Sequence, residues 1–274
     1  MIDSQNLFRL QSLLTKGEKS IPVKTLEKDY ILTWILAGIA RSELNNLLAF
    51  KGGTALKKFY IENYRFSEDL DFTLLKSFDL DRLKEKIEKV YEYLLNEANI
   101  QIIFNRSEIH SNSYTIFVNF SGPLGADIRR GEIKMDFTIN ELLLFPLERK
   151  RFFKLYKEYS DVPLNTEILV YSIEEILVEK FISLLDPKRN EPRDIYDLWI
   201  LLDNGYVQID LLKDYIIEKA KFKKLKDFNI IRALDKKKEV YKRLWIDKLN
   251  YQVLDLPYFE HVYRYLKRNL RYLI

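Results

Sequence analysis

The 274-residue chain contains no cysteine. This excludes disulfides, zinc-thiolate and iron–sulfur centres and a thiol nucleophile together. Histidine is nearly as scarce: only His110 and His261 occur, neither within a motif. A multi-histidine metal site would need nearly all of them, and both are read as structural. Chemistry must come from carboxylates, lysine, arginine and hydroxyls, and a metal would take oxygen ligands, as hard cations such as Mg²⁺ or Mn²⁺ do. Long apolar runs are missing too. The longest near the start, residues 30–40, has eleven uncharged residues, against the ~20 needed to span a bilayer. The opening MIDSQNLFRL lacks the basic and then apolar regions of a leader. A soluble, cytoplasmic protein with no membrane partner is expected.

What is present is unevenly distributed. The formal net charge of +4 is small, but residues 213–274 hold 17 Lys and Arg against 8 Asp and Glu, a net +9. The preceding 212 residues are net −5. An acidic body with a basic tail points to a polyanionic partner.

Glycine and proline number only 8 and 7, so their positions carry information. Residues 1–46 read as helical, with a helix over 23–42 after Pro22. A short apolar strand over 47–50 then meets Gly52-Gly53, and 55–63 reads as helix. Alternation over 69–75 sets Leu70, Phe72 and Leu74 on one face and Asp69, Asp71 and Thr73 on the other. A charged amphipathic helix over 79–96 precedes strands at 100–104, 114–120 and 132–139. A last strand over 168–171 leads into helices to the end of the chain. The plan is an α/β (α+β) portion, 1–165, followed by a helical portion, 166–274, that carries the basic tail.

Three pieces of the first portion share a chemical logic. Gly52 and Gly53 lie between strand and helix, where a missing Cβ lets a phosphate reach backbone N–H groups; a tight turn also needs glycine. Asp69 and Asp71, at i and i+2 of a strand, set two carboxylates side by side, as a divalent cation requires; an exposed acidic strand edge has the same pattern. Asp136 occupies the polar face of the 132–139 strand, from which it would complete a triad as metal ligand and general base, or simply face solvent.

The order of these pieces resembles the nucleotidyltransferase fold of the polymerase-β superfamily. More narrowly, Phe50-Lys51-Gly52-Gly53-Thr54-Ala55-Leu56 with Arg65-Phe66-Ser67-Glu68-Asp69-Leu70-Asp71 resembles the AbiEii/AbiGii toxin family of toxin-antitoxin and phage abortive infection systems. Glu27-Lys28-Asp29-Tyr30 upstream, and Glu174-Glu175-Ile176-Leu177-Val178-Glu179-Lys180 and Pro192-Arg193-Asp194-Ile195-Tyr196-Asp197-Leu198 downstream, extend the likeness over about residues 20–205. The spacer of fifteen residues between Gly53 and Asp69 is longer than the compact superfamily pattern and in keeping with this family.

The resemblance implies a mixed sheet with flanking helices, residues 1–165 being the catalytic domain. It also implies a Mg²⁺-dependent transfer of a nucleoside monophosphate from an NTP to an acceptor, most simply tRNA or another RNA end, with growth inhibition as the outcome and a separately encoded antitoxin as partner. Gly52, Gly53, Thr54, Arg65 and Ser67 would hold the nucleotide, and Asp69, Asp71 and Asp136 the metal. Lys180 would neutralise phosphate charge with Asp194 orienting it, although a solvated lysine and a helix-capping aspartate account for the same positions. Lys236, Lys237, Lys238, Lys242 and Arg243, interleaved with Tyr241 and Trp245, would meet RNA phosphates and stack on unpaired bases, or form a helical bundle with solvated lysine faces. Transfer to a small molecule or a protein side chain, and an inactive RNA-binding module, are the competing readings.

Overall fold

The computed structural model describes every residue except 154, 164 and 274, and the side chain of residue 272. The chain forms two compact units, Met1–Glu141 with Leu147–Tyr171, and Leu142–Pro146 with Ser172–Ile274.

The first unit begins with helices α1 (Ser4–Leu14) and α2 (Val23–Arg41). Asp3 caps α1 by accepting from the Gln5 N–H at 2.8 Å. Helix α2 is buried all round from Tyr30 to Ala40, which explains why that stretch carries no charge on any face. Strand β1 (Leu48–Lys51) runs directly into the single turn α3 (Gly52–Ala55), which continues as a π-turn over Leu56–Tyr60. The helix expected over 55–63 therefore starts earlier and ends wider.

Strand β2 (Asp69–Leu74), helix α4 (Leu80–Ala98), β3 (Gln101–His110), β4 (Ser113–Ser121) and β5 (Glu132–Thr138) follow, then β6 (Glu148–Arg151) and β7 (Glu167–Val170). Helix α4 is capped by the Asp79 carboxylate and buries Leu83, Ile87, Val90, Leu94 and Ala98, a stripe at 3- and 4-residue spacing. Gly38 lets α2 lie against it, since a Cβ there would come within 2.7 Å of Val90 and 2.9 Å of Leu94.

Among the described residues the strands form one mixed sheet of order β3-β4-β5-β2-β1-β7-β6. The β1–β7 and β2–β5 pairs are parallel and the others antiparallel. The alternating burial of β5 matches its alternating sequence. Phe50, Phe72 and Phe137 pack in a row across three strands, the first pair tilted and the second stacked, with ring centroids 5.1 and 5.4 Å apart, and they form the core of the face opposite the aspartates. Strand β6, Glu-Arg-Lys-Arg, has no apolar alternation; it is an edge strand, and its charges suit that place.

The second unit contains α5 (Ile173–Leu185), α6 (Pro192–Asp203), α7 (Lys213–Phe222), α8 (Ile230–Leu249) and α9 (Phe259–Leu270). Ser172 caps α5. Glu175, fully buried, accepts from the Leu144 and Phe145 N–H groups at 2.8 and 2.9 Å and pairs with the buried Lys219 ammonium. That carboxylate ties the short 142–146 segment to the helices. Tyr241 and Trp245 are buried in α8, so they are core residues and offer no stacking surface to unpaired bases.

Candidate active site

The register of the central strands decides what faces what. Lys51 pairs with Asp71, Asp71 with Asp136, and Asp136 with Thr115. Residues paired across a sheet share a face, so one row on β1, β2, β5 and β4 reads Lys-Asp-Asp-Thr. One step along, Asp69 pairs with Lys134 on that face. The two carboxylates of β2 and that of β5 are thus brought together by backbone pairing.

Asp136 is engaged at both oxygens. Thr115 donates to Oδ1 at 2.6 Å and Lys134 to Oδ2 at 2.5 Å. Burial disfavours the Lys134 ammonium, yet the hydrogen bond and charge of Asp136, with the charges of Asp69 and Asp71, outweigh this and hold its pKa above the ordinary lysine value. An ammonium on the neighbouring strand thus offsets part of the repulsion within the carboxylate row.

The Gly-Gly turn abuts this row. Gly52 has φ +80°, and a Cβ built on it would run into the Asp71 carboxylate. A Cβ on Gly53 would come within 2.5 Å of the Arg65 guanidinium. The two glycines therefore serve close approach, with Asp71 on one and Arg65 on the other. Thr54 is buried and donates to the Asp69 carbonyl at 2.7 Å, locking the turn to the start of β2. Arg65 and Ser67 are buried on the segment leading into β2, and Arg65 donates to the Phe66 carbonyl at 3.2 Å.

Each residue of the Glu27–Tyr30 stretch braces this region. Glu27 accepts from the Leu124 N–H at 2.8 Å; Lys28 pairs with Glu68, the neighbour of Asp69, at 3.2 Å. Asp29 pairs with the buried Lys58 ammonium at 2.8 Å, and Tyr30 donates to Asp161 at 2.8 Å. Lys58 and Lys57 lie on the π-turn that follows the glycines. Lys57 sits 3.9 Å over the Phe66 ring, and burial pushes its pKa down to about 8.

Lys180 and Asp194 come together in the second unit. The Lys180 ammonium lies 3.0 Å from Asp194 and 2.7 Å from Asp197, both buried, and Arg189 holds the other oxygen of Asp194 at 2.5 Å. Burial would raise the Asp194 pKa; Lys180 and Arg189 outweigh it and keep the carboxyl below its ordinary range. Asp194 also falls in the first turn of α6, after Pro192, so it has both a helix-end and an ion-pair function.

As to a cation, the donor set is the hard-oxygen kind that Mg²⁺ prefers. Among the described residues, however, no group of three His, Cys, Asp or Glu side chains stands ready to hold a metal. Both oxygens of Asp136 are occupied by Thr115 and Lys134, so Lys134 would have to move off Oδ2 before that oxygen met a cation. Sequence reasoning missed Lys134, although its position two residues before Asp136 on an alternating strand places it on the same face.

The likenesses to known proteins bear on family and fold. Residues 34–264 match the family model described as nucleotidyl transferase AbiEii toxin, type IV TA system. The chain belongs to this family. It is accordingly a nucleotidyltransferase with a toxin role, a class that uses nucleoside triphosphate and is paired with an antitoxin. In fold it is similar to MenT4, a nucleotidyltransferase toxin from Mycobacterium tuberculosis, at 16% identity and TM-score 0.62, covering 100% of this chain and 90% of that one. It is also similar to JHP933 from Helicobacter pylori, at 18% identity and TM-score 0.58, covering 93% of each. No curated protein matches the sequence. No helix among the described residues is long and apolar enough to cross a membrane.

Proposed function

We infer that this AbiEii-family enzyme transfers a nucleoside monophosphate from an NTP to an RNA end, most simply that of tRNA, and that this modification in the cytoplasm arrests growth during phage infection. The observation that carries the reading is the pairing of Asp71 with Asp136 on adjacent strands, with Asp69 beside them and the Gly52-Gly53 turn against Asp71. The triphosphate lies on the Gly52, Gly53 and Thr54 backbone at the start of α3, with Ser67 and Arg65 supplying a hydroxyl and a positive charge. Asp69 and Asp71, joined by Asp136, would hold Mg²⁺ or Mn²⁺, which when bound supplies charge neutralisation for carboxylates and phosphates together.

Asp136 takes the proton of the attacking acceptor hydroxyl, at the oxygen now covered by Lys134. The ammonium turns to the incoming phosphates as it leaves that oxygen, and Thr115 continues to orient the carboxylate through the other. The hydroxyl oxygen bonds to the α-phosphorus and pyrophosphate departs. Lys180 and Asp194 enter this reading through the family pattern: a lysine for phosphate charge and an aspartate that fixes its position. The exposed lysines of the tail supply RNA contacts.

The test is incubation with each α-labelled NTP, Mg²⁺ or Mn²⁺ and total RNA, comparing the native chain with Asp69→Ala. Label in RNA that disappears in the variant supports the reading. Label in protein alone moves the acceptor to a side chain, and absence of label under every metal refutes nucleotidyl transfer to RNA.

A further inference from the structure

The basic tail was expected to meet RNA through Lys236, Lys237, Lys238, Lys242 and Arg243. The second unit arranges those residues differently. Lys237 is buried, its ammonium donating to the carbonyls of Leu184 at 2.7 Å, Asp186 at 2.6 Å and Arg189 at 2.8 Å. It is a structural pin and cannot also hold an external phosphate. Lys238 and Lys242 both turn to Glu260, at 3.8 and 3.0 Å.

What Lys237 pins is the turn after α5, and that turn forms one wall of a groove. The groove has a volume of about 1090 Å³ and lies wholly within the second unit, between this turn, the turn after α7 and the first turns of α8. Seven basic and two acidic residues line it. Lys188, Lys224, Lys226 and Lys236 are exposed. Among the described residues Lys188, Lys224 and Lys226 have no acidic partner, while Lys236 reaches Asp227 only at 4.0 Å. A row of ammonium groups with little internal neutralisation is the electrostatic footprint of a polyanion.

Lys224 adds an independent observation. It sits just past the end of α7 with φ +57°, the left-handed position at which helices favour glycine. A lysine there carries backbone strain that glycine would relieve, and it keeps a charge at the groove.

No aromatic side chain is among the described residues lining the groove. Unpaired bases are bound by stacking on aromatics, and protein partners are held by aromatic or apolar anchors in desolvated pockets. Lysine heads alone suit a phosphate backbone.

We propose that this groove binds the sugar–phosphate backbone of a base-paired RNA stem, without reading its sequence. The proposal rests on the RNA-acceptor reading above and deepens it: the stem is gripped here by the second unit.

The test uses the full chain and fluorescence anisotropy, with a labelled RNA hairpin whose stem is about 16 base pairs long and a uridine single strand of equal length. The hairpin is expected to bind more tightly than the single strand. Lys188→Glu with Lys226→Glu is expected to weaken hairpin binding on the order of 10- to 100-fold and to lower the log–log salt slope by about 2. Lys224→Gly should raise the thermal midpoint while weakening hairpin binding, opposed effects that a purely structural residue would not give. Lys76→Glu with Arg82→Glu, an equal change of net charge outside the groove, should leave hairpin affinity within roughly 3-fold. Unchanged hairpin affinity in the groove variants, or tighter binding of the single strand, overturns the proposal. So does loss of polyglutamate binding alone, which would mark a dock for an acidic protein. The two readings fail separately. Hairpin binding by the groove with no label transferred to RNA sinks the acceptor assignment, whereas label transfer with unaltered binding in the variants sinks the groove.

Discussion

Lys180→Met should destabilise the second unit by about 3–5 kcal/mol. The ammonium serves two carboxylates, Asp194 and Asp197, which are 1% and 0% exposed. Removing it strands negative charge that is already desolvated, and this is the costly half of a buried ion pair. Arg189 keeps its hold on Asp194 at 2.5 Å, but its side chain is 45% exposed, so solvent screens what it returns. With a urea m-value of roughly 2 kcal/mol/M, the loss corresponds to a fall in midpoint of about 1.5–2.5 M. Tryptophan fluorescence reports it, since Trp199 and Trp245 both belong to the second unit. Adding Asp197→Asn to Lys180→Met removes one stranded charge and should recover part of the loss. A Lys180→Met chain that unfolds at the native midpoint would refute a structural ion-pair role and leave phosphate contact as the function of this lysine.

Three further outcomes follow from the geometry. Gly52→Ala forces a Cβ into the Asp71 carboxylate at φ +80°; nucleotidyl transfer should fall on the order of 100-fold from misplacement of that group, with stability lower by about 2 kcal/mol, and near-native turnover would contradict the close approach. Lys134→Met leaves the Asp69, Asp71 and Asp136 row without its ammonium; since that side chain is 40% exposed, the cost is at most about 1 kcal/mol, read as a Tm lower by about 2–4 °C that high salt abolishes. Asp194 has its pKa depressed in the fold, so its contribution to stability is present above the ordinary carboxylate value and is lost as pH falls through the lower folded value. Acid unfolding below about pH 4 should therefore be less steep in Asp194→Asn, and identical acid limbs would show that the depression is absent.

Much of the site was legible because its signals are local. The alternation of Leu70, Phe72 and Leu74 with Asp69, Asp71 and Thr73 reports a strand with one buried face, and β2 runs as that pattern requires. Gly52-Gly53 between a strand and a helix marks a close approach, and the structure names what approaches: Asp71 and Arg65. Strand β6 was not legible, because Glu148-Arg149-Lys150-Arg151 has no apolar period of its own and exists only by pairing with β7. The tail lysines looked alike in sequence. Position on α8 separates them, since Lys237 turns inward to the carbonyls after α5 while Lys236 stays exposed.

The sequence by itself determined the chemistry available to this protein. Without cysteine and with two histidines it could act only through carboxylates, lysines, arginines and hydroxyls, and its periodicities were enough to predict a mixed α/β portion followed by helices. Tertiary structure decided the pairings. That Asp71 lies opposite Asp136, that Lys134 stands among the carboxylates, and that Lys180 is shared by two buried aspartates are consequences of strand register and helix packing. Apart from Lys134 and Asp136, two residues apart on one strand, those relations join residues 14 to 65 positions apart in the chain. No local period encodes them, because hydrophobic burial selects the register for the opposite face of the sheet and the polar partners follow from it.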